Sequence, residues 1–179
     1  MPSTLGYALL GLLARRPRTG YELSRAMREP VGFFWTARHS QIYPELAKLE
    51  DAGLIGGKVE HGPGPRENRR YSIRAAGRRA LAQWAASSTP PEPSRSVELL
   101  KIYSLWLADP AGARDILREQ REQHRATLER YDALAAEFAD AGPLEPGSAD
   151  FLDAASVQRG RSVERAVVDW FDWLLGELG

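Results

Sequence analysis

The chain has 179 residues and contains no cysteine, two methionines and three histidines. Zero cysteine excludes disulfides, thiolate zinc sites and cysteine nucleophiles. His39, His61 and His124 are scattered, with no second histidine or carboxylate at metal-ligand spacing, so neither a metal nor another cofactor is expected. No apolar run reaches the ~18–20 residues of a membrane span. No basic-then-apolar leader opens the chain, so the expectation is a cytoplasmic protein with no membrane partner. There is also no phosphate-cradling glycine motif and no Gly-x-Ser-x-Gly elbow. The carboxylates sit on charged helix faces beside arginines at helical spacing, so the chain does not read as an enzyme.

Net charge is absent too, with 24 basic and 24 acidic side chains, but the balance is uneven along the chain. Residues 1–89 carry 14 basic and 7 acidic residues, whereas residues 90–179 carry 10 and 17. Only the first half is suited to meet a polyanion. Ser87-Ser88-Thr89-Pro90-Pro91-Glu92-Pro93-Ser94 separates the halves with linker composition. The expected domains are therefore 1–86, a linker at 87–95, and 96–179.

Within the basic half, Leu5, Leu9, Leu12 and Leu13 stripe a first helix over residues 5–14, which Arg15-Arg16-Pro17-Arg18 ends. Thr19 and Glu22 form a capping box for a second helix running to about Glu29. Leu23, Ala26 and Met27 of that helix face inward, while Tyr21, Arg25 and Arg28 share the outer face, within reach of phosphates. Phe33, Phe34 and Trp35 sit in a loop and fit a core plug better than a ligand-stacking site.

A third helix begins near Arg38 to Ser40, because Pro44 is tolerable only close to its first turn, and Gly53 ends it. At 100° per residue Ile42, Leu46 and Leu49 fall on one face. Ser40, Pro44, Ala47, Lys48 and Asp51 fall opposite, flanked by Gln41 and Tyr43. This small, polar, lightly charged outer face suits close approach to base edges in a major groove. Taken alone it also suits an ordinary surface helix.

The next segment decides between them. Leu54–Glu60 and Arg69–Ile73 read as paired strands, with Val59, Tyr71 and Ile73 buried, joined by a Gly/Pro-rich tip. The hairpin carries Lys58, Arg66, Arg69 and Arg70. Three helices followed by a basic hairpin is the order of a winged helix–turn–helix, whose wing lies along the backbone or in the minor groove. A fourth helix, Ala75–Ala86, places Leu81 and Trp84 on its apolar side.

The acidic half reads as wholly helical. Residues 96–108 stripe Leu99, Leu100, Tyr103, Trp106 and Leu107. Asp109-Pro110 restarts a helix running to about Asp140, with Leu117, Gln120, His124, Thr127, Leu128, Tyr131, Leu134, Ala135 and Phe138 inward. A last helix over about Ser148–Leu178 is expected to bury Phe151, Leu152, Ala155, Val163, Val167, Trp170, Phe171, Leu174 and Leu178. Two long helices and one short one cannot bury so many apolar groups within one chain, which points to a second copy. Tyr103, Trp106, Trp170 and Trp173 suit either an effector pocket for a small aromatic or hydrophobic molecule or a plain core and dimer interface.

Four segments then resemble the PadR-type transcriptional regulators, the phenolic acid decarboxylase repressor family. They are Leu5-Gly6-Tyr7-Ala8-Leu9-Leu10-Gly11-Leu12-Leu13; Thr19-Gly20-Tyr21-Glu22-Leu23; Gln41-Ile42-Tyr43-Pro44-Glu45-Leu46 through Leu49-Glu50 and Gly53-Leu54-Ile55; and Arg70-Tyr71-Ser72-Ile73 with Ala76-Gly77-Arg78. Leu99-Leu100-Lys101-Ile102-Tyr103 and Leu107-Ala108-Asp109-Pro110 are similar to the family's longer, virulence-activator-like C-terminal domain. The resemblance implies a mainly α protein with an N-terminal winged helix–turn–helix domain, a two-stranded wing and an all-helical C-terminal dimerisation domain. It implies a homodimeric repressor on double-stranded DNA bearing an inverted-repeat operator, released by a small-molecule effector. Its DNA contacts fall on Tyr21, Ser40, Gln41, Tyr43 and Lys48 and on basic residues of the wing. Arg74 stands where the family usually has a threonine that could cap the fourth helix. The rival reading is a small-molecule sensor or interaction protein whose helical half is the main functional part.

Overall fold

The structure is a computed structural model that describes residues 1–27, 35, 38–60, 68–89 and 95–179. The chain divides into two compact units, Met1–Pro91 and Glu92–Gly179.

The first unit opens with α1 (Thr4–Arg15), whose N-terminus is capped by the Ser3 hydroxyl accepting from Gly6 N–H at 3.0 Å. A two-residue strand β1 (Arg18–Thr19) precedes α2 (Gly20–Ala26). The capping box of α2 is complete: Thr19 Oγ1 accepts from Glu22 N–H, and Glu22 Oε2 accepts from Thr19 N–H at 2.6 Å. The helix α3 spans His39–Asp51, with Pro44 inside it, and is followed by β2 (Ile55–Glu60), β3 (Asn68–Ile73) and α4 (Ala75–Ala85). The C-terminus of α3 closes as a Schellman motif. Leu54 N–H donates to Leu49 O and Gly53 N–H to Glu50 O, with Gly53 at φ 70°, a conformation that costs glycine nothing.

The sheet has three strands in the order β1-β3-β2, all antiparallel. The wing hairpin therefore carries a third strand that the sequence did not suggest, since two residues are too few for an alternating pattern. One core joins Leu9, Leu10 and Leu13 of α1 with Leu23, Met27, Ile42, Leu46, Leu49 and Ile55. Val59, expected inside, is 43% exposed. It shares a strand face with Ile55, but sits opposite Arg69 near the far end of the hairpin; Ile55, at the base, takes the core position. Arg74 stands at the N-cap of α4 with no side-chain cap, so that helix starts without the hydroxyl that a threonine would supply.

The second unit contains α5 (Val97–Tyr103), a single 3-10 turn at Leu105–Leu107, α6 (Pro110–Asp140) and α7 (Ala149–Glu177). The sequence reading of one helix over 96–108 is corrected: the chain breaks at Ser104 and continues as the 3-10 turn. Asp109 caps α6 through Gly112 N–H, with Pro110 at the first helical position. Helices α6 and α7 pack together, burying Ala113, Leu117 and Tyr131 against Val157, Val168 and Phe171. Of the expected inward residues of α7, only Phe171 is fully buried. Val167, Trp170 and Leu174 are half-buried, and Phe151, Leu152, Ala155, Val163 and Leu178 are exposed. A helix packed on one neighbour covers one face only, and the apolar residues of α7 spread over more than one. No helix among the described residues is long and apolar enough to cross a membrane.

Candidate nucleic-acid interface

Helix α3 is held from beneath by Ile42, Leu46 and Leu49, each 2% exposed or less. A fourth buried residue joins them. Glu45 is 7% exposed, and its Oε1 accepts from the Ser3 hydroxyl at 2.6 Å. Ser3 thus caps α1 and grips α3 with one oxygen. The sequence offered no signal for this, because Glu45 looks like a solvated helix residue until α1 is folded over it.

With four anchors inside, Ser40, Gln41, Tyr43, Pro44, Ala47, Lys48 and Asp51 are all exposed. This is the outer face expected of the helix. Tyr43 leans back over the start of α2: a Cβ on Gly20 would stand 2.6 Å from its Cε1. The bare Cα of Gly20 therefore lets the two helices cross closely, beside the exposed ring of Tyr21. Arg25 is exposed one turn further along α2. His39, at the first position of α3, tilts its ring toward Tyr43 with centroids 5.5 Å apart, and its place at the helix start adds it to this surface.

Gln41 Oε1 accepts from Arg38 N–H at 2.9 Å, satisfying an N-terminal donor of α3. Its amide N–H groups stay available to donate outward. Lys48 pairs with Glu45 Oε2 at 3.5 Å, while its side chain remains largely exposed.

The wing residues divide. Arg66 lies outside the described residues, as does Arg28, which the sequence placed on the second helix. Lys58 is exposed. Arg69 donates to Glu50 Oε1 at 2.8 Å, and Arg70 donates to Glu22 Oε2 and Pro17 O, each at 3.2 Å. Both β3 arginines are therefore engaged with the helix–turn–helix rather than turned wholly to solvent. The Thr19 N–H bond, above the opposing effect of burial, holds the Glu22 carboxyl below its ordinary pKa, and Arg70 adds to this.

The four aromatics expected to line an effector pocket do not converge within the chain. Tyr103 and Trp106 are about four-fifths exposed and Trp173 more than half. Trp170 is half-buried, edge-on to Phe171 with centroids 5.0 Å apart. A cavity of about 620 Å³ lies instead in the first unit, lined by Tyr7, Glu45, Leu49, Leu54 and Trp84 among others.

His124 joins three helices of the second unit. Its Nδ1 meets Glu164 Oε2 of α7 at 2.7 Å, and its Nε2 meets Glu98 Oε1 of α5 at 3.2 Å. Burial disfavours the imidazolium, but the hydrogen bond and charge of Glu164, with those of Glu98, outweigh it and raise the pKa above the ordinary value. A raised folded-state pKa stabilises the fold fully below the unfolded value and ceases to do so as pH rises through the folded one. The second unit is therefore expected to lose thermal stability as pH rises above the ordinary histidine value of about 6.5, the side on which the imidazolium discharges. His124→Gln should remove that slope in a melting series; an unchanged slope would assign it to another group.

Comparison with known proteins follows the same division of the chain. The model of the transcriptional regulator PadR-like family matches residues 9–83, and that of the virulence activator alpha C-terminal domain matches residues 94–179. The negative transcriptional regulator PadR of Bacillus subtilis is 31% identical over 176 residues, covering 96% of this chain and 95% of the relative. The crystal structure of Bacillus subtilis PadR in complex with operator DNA matches with a TM-score of 0.90 at 29% identity, over 99% of this chain and 100% of that one. The structure of the same protein with p-coumaric acid matches with a TM-score of 0.82 at 28% identity, over 98% and 99%. Similarity of this extent over nearly the whole of both chains makes this protein a member of the PadR-like family of transcriptional regulators.

Proposed function

We propose that the chain is a homodimeric repressor that reads an inverted-repeat operator through α3 and leaves it when a small aromatic or hydrophobic molecule binds. The observation that carries this reading is the exposed polar face of α3 above its buried anchors, Ile42, Leu46 and Leu49. Gln41 donates its amide to a base edge, with Ser40 and Tyr43 beside it. Tyr21 and Arg25 of α2, with Lys48 and Arg66, meet phosphates and supply the salt-dependent, sequence-independent part of binding. Acting on chromosomal DNA, the protein works in the cytoplasm.

Residues 1–86 form the DNA-binding domain, 87–95 the linker and 96–179 the dimerisation domain. The exposed apolar residues Leu99, Leu100 and Tyr103 of α5, Leu107 of the 3-10 turn and the uncovered residues of α7 support pairing with a second copy. Tyr103, Trp106, Trp170 and Trp173 line the effector site once that copy closes over them. The aromatic acid bound by the Bacillus subtilis relative supports a ligand of this class.

Selection of bound sequences from random DNA tests the reading. A two-fold repeat should emerge with half-site centres about 34–36 Å apart, one helical turn, or a multiple of it. No enrichment, or a single asymmetric site, would overturn it. On the selected operator, Gln41→Ala should cost about 1–3 kcal/mol and relax the preference at one position per half-site. Equal loss on operator and random DNA would remove Gln41 from base reading and leave it only its bond to Arg38 N–H.

A further inference from the structure

Consecutive residues of β3 reach back to different helices of the DNA-binding unit. Arg69 crosses to the last turn of α3, where Glu50 Oε1 accepts both its guanidinium, at 2.8 Å, and the Gly57 N–H of β2, at 2.9 Å. Arg70 reaches the start of α2, donating to Glu22 Oε2 and to Pro17 O. Glu22 is already fixed by the capping box, so it offers Arg70 a rigid anchor. The path of Arg69 is cut through β2 itself: a Cβ on Gly57 would overlap Arg69 Nε and stand 3.0 Å from Glu50 Oε1.

We infer that Arg69 and Arg70 are positioning residues, a pair of latches through which Glu50 and Glu22 hold the wing at a set angle to the recognition helix. The elementary expectation for basic residues on a wing is phosphate contact, and the geometry assigns these two differently. Their side chains are half and one-third exposed, so as isolated surface ion pairs they add little to stability. What they fix is orientation. The two carboxylates come from the two helices of the reading motif, and each bonds backbone as well as arginine. A wing so held cannot swing without breaking bonds to both helices.

This inference rests on the DNA-binding reading, and a double-mutant cycle separates the two. The full-length protein is measured as wild type, Arg69→Gln, Glu50→Gln and the double variant, on the selected operator, across a salt series. If Arg69 is a latch, both single variants weaken binding about tenfold, the middle of the range for residues sharing one network, and the double is no weaker than the poorer single. The slope of log affinity against log salt then stays that of wild type. If Arg69 is a phosphate ligand, Arg69→Gln flattens the slope by about one unit. Glu50→Gln then binds as well as wild type or better, and that pattern would overturn the inference.

Gly57→Ala provides a test that moves no charge. Its methyl displaces Arg69 from Glu50, so it should reproduce the loss of Arg69→Gln and add nothing in the double variant. Gly56→Ala, whose Cβ meets only the flexible Arg74 side chain at 3.1 Å, is the control for alanine in this strand and should bind as wild type. Normal binding by Gly57→Ala would also overturn the inference. Hydrogen exchange of the Gly57 amide in the free protein reads the same latch without DNA, and should speed up in Glu50→Gln and Gly57→Ala. Wild-type protein that enriches no operator but shows this exchange pattern would sink the DNA-binding reading and leave the latch standing.

Discussion

Leu46→Ala is expected to lower the unfolding free energy of the N-terminal unit by about 2–5 kcal/mol, the range for truncating a fully buried leucine. Leu46 is 0% exposed and lies between Ile42 and Leu49 on the inner face of α3. Its removal deletes apolar contacts with α1 and α2 and leaves a void that the neighbouring side chains fill only in part. A domain of this size has about 5–15 kcal/mol in total, so the loss is a large fraction of it. Operator binding should fall with stability, because the seat of the reading helix loosens. Urea unfolding followed by circular dichroism, with the C-terminal unit as internal reference, measures it. Ala47→Ser, on the exposed side of the same helix, should change stability by less than about 0.5 kcal/mol. A loss below about 1 kcal/mol for Leu46→Ala would mean that this helix is not anchored as described.

Gly77→Ala sets two effects of opposite sign against each other. Helix propensity favours alanine over glycine by about 1 kcal/mol inside a helix such as α4. Sterics oppose it. A Cβ on Gly77 would overlap the Leu54 carbonyl oxygen and stand 2.9 Å from Ile73 Cγ1. That carbonyl cannot step aside, since it accepts from Arg74 N–H at 2.9 Å and so ties the start of α4 to the sheet. Overpacking against fixed backbone should win: at the upper end of the ~1–3 kcal/mol range for overpacking, less the propensity gain, the net loss is about 1–2 kcal/mol. Gly11→Ala in α1 is the matched control, because nothing lies within 4 Å of the added carbon, and it should gain about 0.5–1 kcal/mol. Gain at both positions in a thermal unfolding series would refute the close approach of α4 to Leu54.

Much of the candidate surface was legible before any coordinates, for a reason visible residue by residue. The capping box of Thr19 and Glu22, the Asp109-Pro110 start of α6 and the Gly53 stop of α3 each involve groups within a few positions of one another. Periodicity over three turns told Ile42, Leu46 and Leu49 from Ser40, Ala47 and Asp51 in the same way. The exposed side of α5 was legible only as a stripe, and the break at Ser104 was not.

The sequence by itself determined which segments are helical, the caps of α2 and α6, the polar outer face of α3 and the uneven charge of the two halves, because those depend on side chains that are neighbours along the chain. The tertiary structure alone decided which charged groups are engaged within the fold. Glu50 and Arg69 are 19 positions apart, Glu22 and Arg70 are 48, and Ser3 and Glu45 are 42. A carboxylate's partner at that range depends on how helices and strands pack in three dimensions, and no local pattern encodes it. Arg69 and Arg70 therefore read as free cations in one dimension, whereas in three they meet Glu50 and Glu22.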